Sequence, residues 1–459
     1  MVISQPMKQL ELNLPLRSEC PKPVRSSEMA IATYLTETPA GRDRLMETIC
    51  ERQNMRSALQ RVRANKGAPG IDGMTVDQLP SYLRRHWPKI RADLLAGTYQ
   101  PLPVRRKEIP KPTGGVRLLG IPTALDRLVQ QAMGQVLQQI WDPGFSDSSF
   151  GFRPGRNQHK AIRRAQAFVE EGYRYVVDLD ISKFFDRVNH DRLVSRLATK
   201  VHDKRVLKLV RRFLTAGVLT GGLVEPSVEG TPQGGPLSPL LSNIVLDELD
   251  KELERRGLRF VRYADDAIIF VRSKRAAERM MESVSRFISR RLRLKINPDK
   301  SRITHPWWMC YLGFSFISRR GDTRIRIHSK SIKRFKEQVR KLTGRSCGLS
   351  ISQVIERLNL YLRGWWGYFG ITQSLPNLRS LHYWILRRLR AIQWKYWKNP
   401  RTRVRELEKR KIPHLKALFC GCSRKGPWRM SKVKWVLFAM PKSYFLSLGL
   451  YLPGLNRLP

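Results

Sequence analysis

Acidic residues are scarce in this chain. There are 38 Asp and Glu against 86 Lys and Arg in 459 residues, a formal net charge of +48. A surplus of that size repels itself and disfavours a compact state. A polyanionic partner relieves the repulsion, and nucleic acid is the usual one. The basic residues run through the whole chain instead of gathering in one amphipathic helix, which argues against an anionic membrane surface. Long apolar runs are also missing, so no segment reads as a bilayer span. The N-terminus has no apolar run before a small-residue cleavage site, so no secretory signal is expected, and the expected compartment is the cytoplasm. Only six cysteines occur. Cys420 and Cys422 have no second Cys or His pair at zinc-site spacing, and the set suggests no disulfide framework. No short-period repeat is visible.

What is present is enough for two or three domains with a sizeable core, since 41% of residues are hydrophobic. Leu125, Leu128, Val129, Ala132 and Val136 have helical spacing. Residues Arg174 to Ile181 form a β-prone run. Phe260 to Val271 reads as two short strands flanking Asp265-Asp266, as in a hairpin. After about Ser331 the chain becomes helical and very basic. Ile332, Phe335, Val339 and Leu342 share one helix face, and Ile385, Leu389, Ile392 and Tyr396 another. Between Leu381 and Lys434 there are seventeen Lys and Arg and two acids. Trp384, Trp394, Tyr396, Trp397 and Trp428 interleave with them. Such residues either stack on bases between phosphate contacts or fill the core of a helical bundle.

Three pieces carry the chemistry. The first is Tyr263-Ala264-Asp265-Asp266. Adjacent carboxylates between apolar strands are unfavourable unless something compensates them; a hard divalent cation does so, and on these four residues alone an ordinary Asp-Asp turn in a surface hairpin is an equal alternative. The second is Val177-Asp178-Leu179-Asp180-Ile181-Ser182-Lys183-Phe184-Phe185-Asp186, in which Asp180 ends a strand before a polar-aromatic turn. The third is Gly230-Thr231-Pro232-Gln233-Gly234-Gly235-Pro236, whose glycines allow close backbone approach to a ligand.

In this order the pieces resemble the palm of reverse transcriptases, and the wider pattern resembles the group II intron-encoded family over roughly residues 50 to 450. Lys111-Pro-Thr-Gly-Gly-Val-Arg117-Leu-Leu-Gly-Ile-Pro122 is similar to the family's fingers motif. Ser149-Phe-Gly-Phe-Arg-Pro-Gly-Arg156 is similar to its next block. Leu294-Lys-Ile-Asn297-Pro-Asp-Lys300 and Tyr311-Leu-Gly-Phe314 resemble the last two polymerase blocks, the second being the primer grip. Arg363-Gly364-Trp365-Trp366-Gly367-Tyr368-Phe369 resembles the maturase signature.

The resemblance implies an α+β right-hand polymerase, fingers and palm, followed by an α-helical thumb and maturase domain. The implied division is a partly disordered N-terminal extension at 1–50, fingers and palm at 51–330, a basic RNA-binding thumb/maturase domain at 331–435, and a short C-terminal tail at 436–459. It implies an RNA-directed DNA polymerase of the prokaryotic cytoplasm that copies intron RNA and assists its splicing and mobility. The implied cofactor is a pair of Mg²⁺ ions, with Mn²⁺ as a substitute. The implied partners are the intron RNA, an RNA template with a DNA or RNA primer, target DNA and deoxynucleotides, with no membrane. Asp180, Asp265 and Asp266 are the expected catalytic acids, and Asp180, Asp265, Asp266 and the Ile181 carbonyl the expected metal ligands. Lys111, Arg117, Phe185, Gln233 and Lys300 are the expected nucleotide contacts. Phe185 is the residue expected to exclude a ribose 2′-hydroxyl, and Lys300 a candidate proton donor to pyrophosphate. Asp178 shares the face of Asp180 but is left out of the metal set on the family pattern alone. Asp186 is expected to cap a helix. Without the His/Asn cluster of an endonuclease, the resemblance is to a reduced type. Alternatives are a splicing maturase with little polymerase activity and another prokaryotic reverse transcriptase of the retron kind.

Overall fold

The computed structural model describes residues 44–110, 116–182, 184–220, 223–225, 230, 234–319, 322–346 and 348–457. The chain divides into two compact units between Met309 and Cys310.

The first unit opens with helices α1 (Leu45–Ile49), α2 (Arg52–Ala64) and α3 (Leu79–Leu95). Strands β1 (Val104–Pro110) and β2 (Val116–Ile121) and helices α4 (Ala124–Trp141) and α5 (Gln158–Glu170) follow. Next come β3 (Tyr175–Asp180), α6 (His190–Ala198), α7 (Lys204–Thr215), β4 (Val218–Thr220), β5 (Leu223–Glu225) and α8 (Ser238–Arg255). The unit closes with β6 (Arg259–Tyr263), β7 (Asp266–Val271), α9 (Lys274–Arg290) and β8 (Arg302–Thr304). One sheet has the order β2-β1-β4-β5 and the other β6-β7-β3-β8. The second sheet is antiparallel throughout.

That sheet shows why the strands form where they do. Val177 lies opposite Ile269 and Leu179 opposite Ala267, so period-2 alternation aims one face at the core. Val177, Leu179, Phe260 and Ile269 join Ile244 and Leu246 of α8 and Val284 and Ile288 of α9 in one buried cluster. The other face starts apolar, with Val176 opposite Phe270, and ends with Asp180 opposite Asp266. Phe270 is covered by Phe168 of α5, ring centroids 5.4 Å apart.

Helix α1 falls within the stretch expected to be an extension. Its Leu45, Met46 and Ile49 are buried in the same core. The Met46 N–H donates to Asp203 at 3.0 Å, which ties α1 to the start of α7. Residues 1–43, which carry the expectation of partial disorder, lie outside the described residues.

The second unit begins with the hairpin β9 (Phe314–Arg319) and β10 (Asp322–Ile327). Helices α10 (Ser329–Leu342), α11 (Ile351–Phe369), α12 (Leu375–Tyr396), α13 (Pro400–Glu408) and α14 (His414–Gly421) follow. The short helices α15 (Pro427–Met430), α16 (Lys434–Ala439) and α17 (Lys442–Ser447) complete it. The division falls earlier than the expected boundary near Ser331. The reason is packing: Phe314 lies against Tyr368 and Phe369 of α11, at 5.8 and 5.1 Å. The stretch expected to be a tail contributes Val436, Met440, Phe445, Leu450 and Leu452 to the helical core. No described helix is long and apolar enough to cross a membrane.

A buried polar knot orients α4. The Thr123 side chain accepts from the Asp126 N–H and caps the helix. The Asp126 carboxylate accepts from Thr123 Oγ1 at 2.7 Å, from the Tyr99 hydroxyl at 2.9 Å and from the Leu102 N–H at 3.2 Å. Asp126→Ala strands these three donors. The expected loss is about 2–4 kcal/mol of stability, read by urea denaturation. A loss below about 0.5 kcal/mol would show the knot to be idle.

Candidate active site

Strand β3 delivers Asp178 and Asp180 to one face, because residues two apart in a strand point the same way. Its end is fixed from the side by the Leu294–Lys300 block. The Asp180 N–H donates to Ser301 Oγ at 3.0 Å, and the Asn297 N–H donates to the Asp180 carbonyl at 2.9 Å. Ile181 makes an antiparallel bridge with Ile296. The Ser182 N–H donates to the Lys295 carbonyl at 2.8 Å. Two segments more than a hundred residues apart in the sequence thus hold the Asp180–Ile181 backbone.

Strands β6 and β7 pair so that Tyr263 faces Asp266, leaving Ala264 and Asp265 as a two-residue turn. Ala264 has φ +57°. That left-handed conformation is uncommon for a residue with a Cβ and needs support from the surroundings. The turn brings Asp265 beside Asp266, and the β3–β7 register brings Asp266 opposite Asp180.

The electrostatics follow from this convergence. Enclosure of its carboxyl by surrounding protein, and then the charges of Asp265, Asp178 and Asp180, raise the Asp266 pKa to about 7, while Lys300 opposes them. The residue nevertheless keeps a solvent-exposed edge. Two described cations approach these acids. Lys300 Nζ lies 3.6 Å from Asp180 Oδ2, and Arg302 Nε lies 3.6 Å from Asp178 Oδ2. Among the described residues, no three His, Cys, Asp or Glu side chains form a ready-made metal cage. The donor chemistry still fits a hard divalent ion. These are carboxylate oxygens at an open strand end, with places left for water and phosphate, as Mg²⁺ prefers.

The nucleotide-contact candidates divide. Phe185 follows β3 in the short turn Phe184–Asp186 and is half-buried. Its ring meets buried Phe184 edge-on at 5.3 Å, which restrains it. Gly230 sits directly on that turn with φ +94°, and a Cβ there would come within 2.7 Å of the Phe185 carbonyl oxygen. Its N–H donates to the Val188 carbonyl at 2.9 Å, and its own carbonyl meets His190 Nε2 at 2.6 Å. Only glycine fits that approach. Lys300 lies beside Asp180. Lys111 and Gln233 are outside the described residues, as is the Arg117 side chain, although Arg117 pairs with Ile109 in the backbone ladder. Asp186 does not cap α6; the Asn189 side chain does, accepting from the Arg192 N–H.

Sequence reasoning left out Arg302 and Arg262. The signal available for Arg302 was a β-prone segment that directly follows the Leu294–Lys300 block. For Arg262 it was a lone cation in the apolar strand Phe260–Tyr263.

In the second unit the interleaved aromatics take two roles. Trp394 and Trp397 are buried in the helical core. Trp384 is only half-buried, with Lys336, Arg340 and Arg388 within 5.8, 5.7 and 5.3 Å of its ring. Arg387 lies 3.7 Å over Trp428.

Helices thus back an antiparallel sheet whose acids face one another at one strand end, beside the aromatic turn on which Gly230 packs. Residues 109–316 match the family model for reverse transcriptase (RNA-dependent DNA polymerase). Residues 332–411 match that of the group II intron maturase-specific domain. Protein YkfC of Escherichia coli is 33% identical over 347 residues, covering 66% of this chain and 91% of that protein. The group II intron-encoded protein LtrA of Lactococcus lactis is 32% identical over 332 residues, covering 58% of this chain and 55% of that protein. The chain therefore spans about half the length of LtrA. Among solved structures, telomerase from Candida albicans is similar with a TM-score of 0.42 and 13% identity, over 67% of this chain and 63% of that one. The chain belongs to the group II intron-encoded reverse transcriptase/maturase family.

Phe185→Ala removes the half-buried ring that the family resemblance implies would exclude a ribose 2′-hydroxyl. Ribonucleotide use relative to deoxyribonucleotide use is expected to rise at least about tenfold in single-nucleotide extension. An unchanged ratio removes Phe185 from sugar selection.

Proposed function

We propose that this reverse transcriptase copies group II intron RNA into cDNA by two-metal nucleotidyl transfer, and that its basic helical unit binds the same RNA and assists splicing. The observation that carries the reading is the placement of Asp180 opposite Asp266, with Asp265 in the adjoining turn.

The chain's residues divide the work. Asp180 and Asp265, with the Ile181 carbonyl, would hold two Mg²⁺ ions, for which Mn²⁺ can substitute, and Asp266 completes the acid set. When bound, such ions would supply the positive charge that favours ionisation of the attacking 3′-hydroxyl and stabilises the leaving pyrophosphate. Lys111 and Arg117 hold the triphosphate, a task suited to fixed positive charge. Gln233 would contact the nucleotide and template, as the resemblance implies. Phe185 occupies the space of a ribose 2′-hydroxyl. Lys300 donates its Nζ proton to the departing pyrophosphate, and its 3.6 Å approach to Asp180 supports that role. The primer is DNA or RNA, and target DNA accepts the product. The net charge of +48 and the cations around Trp384 support an RNA partner for the helical unit.

Primer extension on an RNA template with Mg²⁺ and deoxynucleotides tests this. Wild-type protein is expected to make full-length cDNA, and Asp265→Asn/Asp266→Asn none. If folded wild-type protein binds RNA but makes no cDNA, a maturase without polymerase activity replaces this reading.

A further inference from the structure

The face of the catalytic sheet opposite the acids carries one charge. Arg262 lies on the core side of β6, in register with Ala267, and is 1% exposed. Burying a guanidinium is costly unless its donors are satisfied. This one is saturated. Nε donates to Asp250 Oδ1 at 2.8 Å, and Nη2 to Asp250 Oδ2 at 2.6 Å and Ser149 Oγ at 2.8 Å. Nη1 donates to Asn243 Oδ1 at 2.9 Å and to the Ala264 carbonyl at 2.9 Å. An arginine has five N–H donors, and here each has an acceptor.

The acceptors come from three parts of the chain. Asn243 and Asp250 are seven residues apart on α8 and so share a helix face. Ser149 belongs to the segment that lies along β6, where the Arg262 N–H donates to the Ser148 carbonyl and the Phe150 N–H to the Arg262 carbonyl, both at 2.9 Å. The fifth acceptor is the turn itself. The Ala264 carbonyl precedes Asp265, and Ala264 is the residue held at φ +57°. The same segment closes on the turn from outside. A Cβ at Gly151 would lie 2.3 Å from the Ala264 nitrogen, and the Gly151 carbonyl accepts from Asn243 Nδ2 at 2.9 Å.

We propose that Arg262 is a positioning residue for the polymerase reaction. It clamps the Ala264 carbonyl to α8 and the Ser149–Gly151 segment and thereby sets the direction of Asp265 and Asp266. The inference rests on the polymerase reading above. Asp250 neutralises the guanidinium, and the remaining bonds serve geometry. A lysine can keep the charge against Asp250, but its three donors on one nitrogen cannot span five acceptors.

The test compares wild type, Arg262→Lys and Arg262→Met/Asp250→Leu. The double variant removes the ion pair as a unit, a replacement that often preserves folding. Each is measured by thermal melting, RNA binding, Mn²⁺ affinity from electron paramagnetic resonance with primer-template bound, and steady-state extension corrected for the active fraction. For Arg262→Lys the expected result is a folded protein with unchanged RNA binding, Mn²⁺ affinity at least about tenfold weaker, and kcat at least about tenfold lower, with KM for deoxynucleotide changed little. The folded double variant is expected to lose kcat in the same way. Wild-type kcat per active molecule in Arg262→Lys, or a loss fully explained by a smaller active fraction, overturns the proposal. An inactive wild type would instead overturn the polymerase reading.

Discussion

One pairing governs the site: the β3–β7 register that sets Asp180 across from Asp266. Like charges directly opposite one another on a sheet repel. A slip of one residue would send the acids into the core and the apolar residues to the surface. The register is therefore held by the buried side. Val177 against Ile269 and Leu179 against Ala267 leave the acids no other place. Burial of one face thus supplies the free energy that holds repelling carboxylates together on the other. Burial of its carboxyl, and then the charges of Asp265, Asp178 and Asp180, raise the Asp266 pKa.

The rest of the first unit bears on that strand end from three directions. The Leu294–Lys300 block and Ser301 hold the Asp180 backbone and bring Lys300 beside its carboxylate. Gly230 packs against the turn that presents Phe185. Helix α8 reaches the Ala264 turn through Arg262 from beneath. Blocks that look unrelated along the chain are thus brought to neighbouring parts of one sheet end.

Much of this was legible in the sequence, because strand periodicity and adjacent acids are local signals. The hairpin around Asp265-Asp266, the strand ending at Asp180 and the helix containing Leu128 to Val136 all form where their patterns suggest. Family resemblance assigned Phe185 and Lys300 their roles, which local pattern alone does not contain. What stayed hidden depends on contacts between distant segments. Arg262 is a lone cation in an apolar strand, and its role appears only when Ser149, Asn243 and Asp250 surround it. The unit boundary at Met309 was hidden because β9 and β10 look like further palm strands, and only the packing of Phe314 on α11 assigns them otherwise. Likewise, Trp394 and Trp384 are equally aromatic and equally flanked by cations in the sequence. Helix packing alone buries the first and leaves the second half-open.

Asp178 and Asp180 share a face and each has a cation at 3.6 Å, but Asp178 lies opposite Ile268, whereas Asp180 lies opposite Asp266. That contrast allows a direct test: Mn²⁺ binding to the protein–primer-template complex, measured by electron paramagnetic resonance for wild type, Asp178→Asn and Asp180→Asn. The account predicts that Asp180→Asn weakens binding by at least about tenfold, while Asp178→Asn stays close to wild type. Equal affinities for wild type and Asp180→Asn would contradict it.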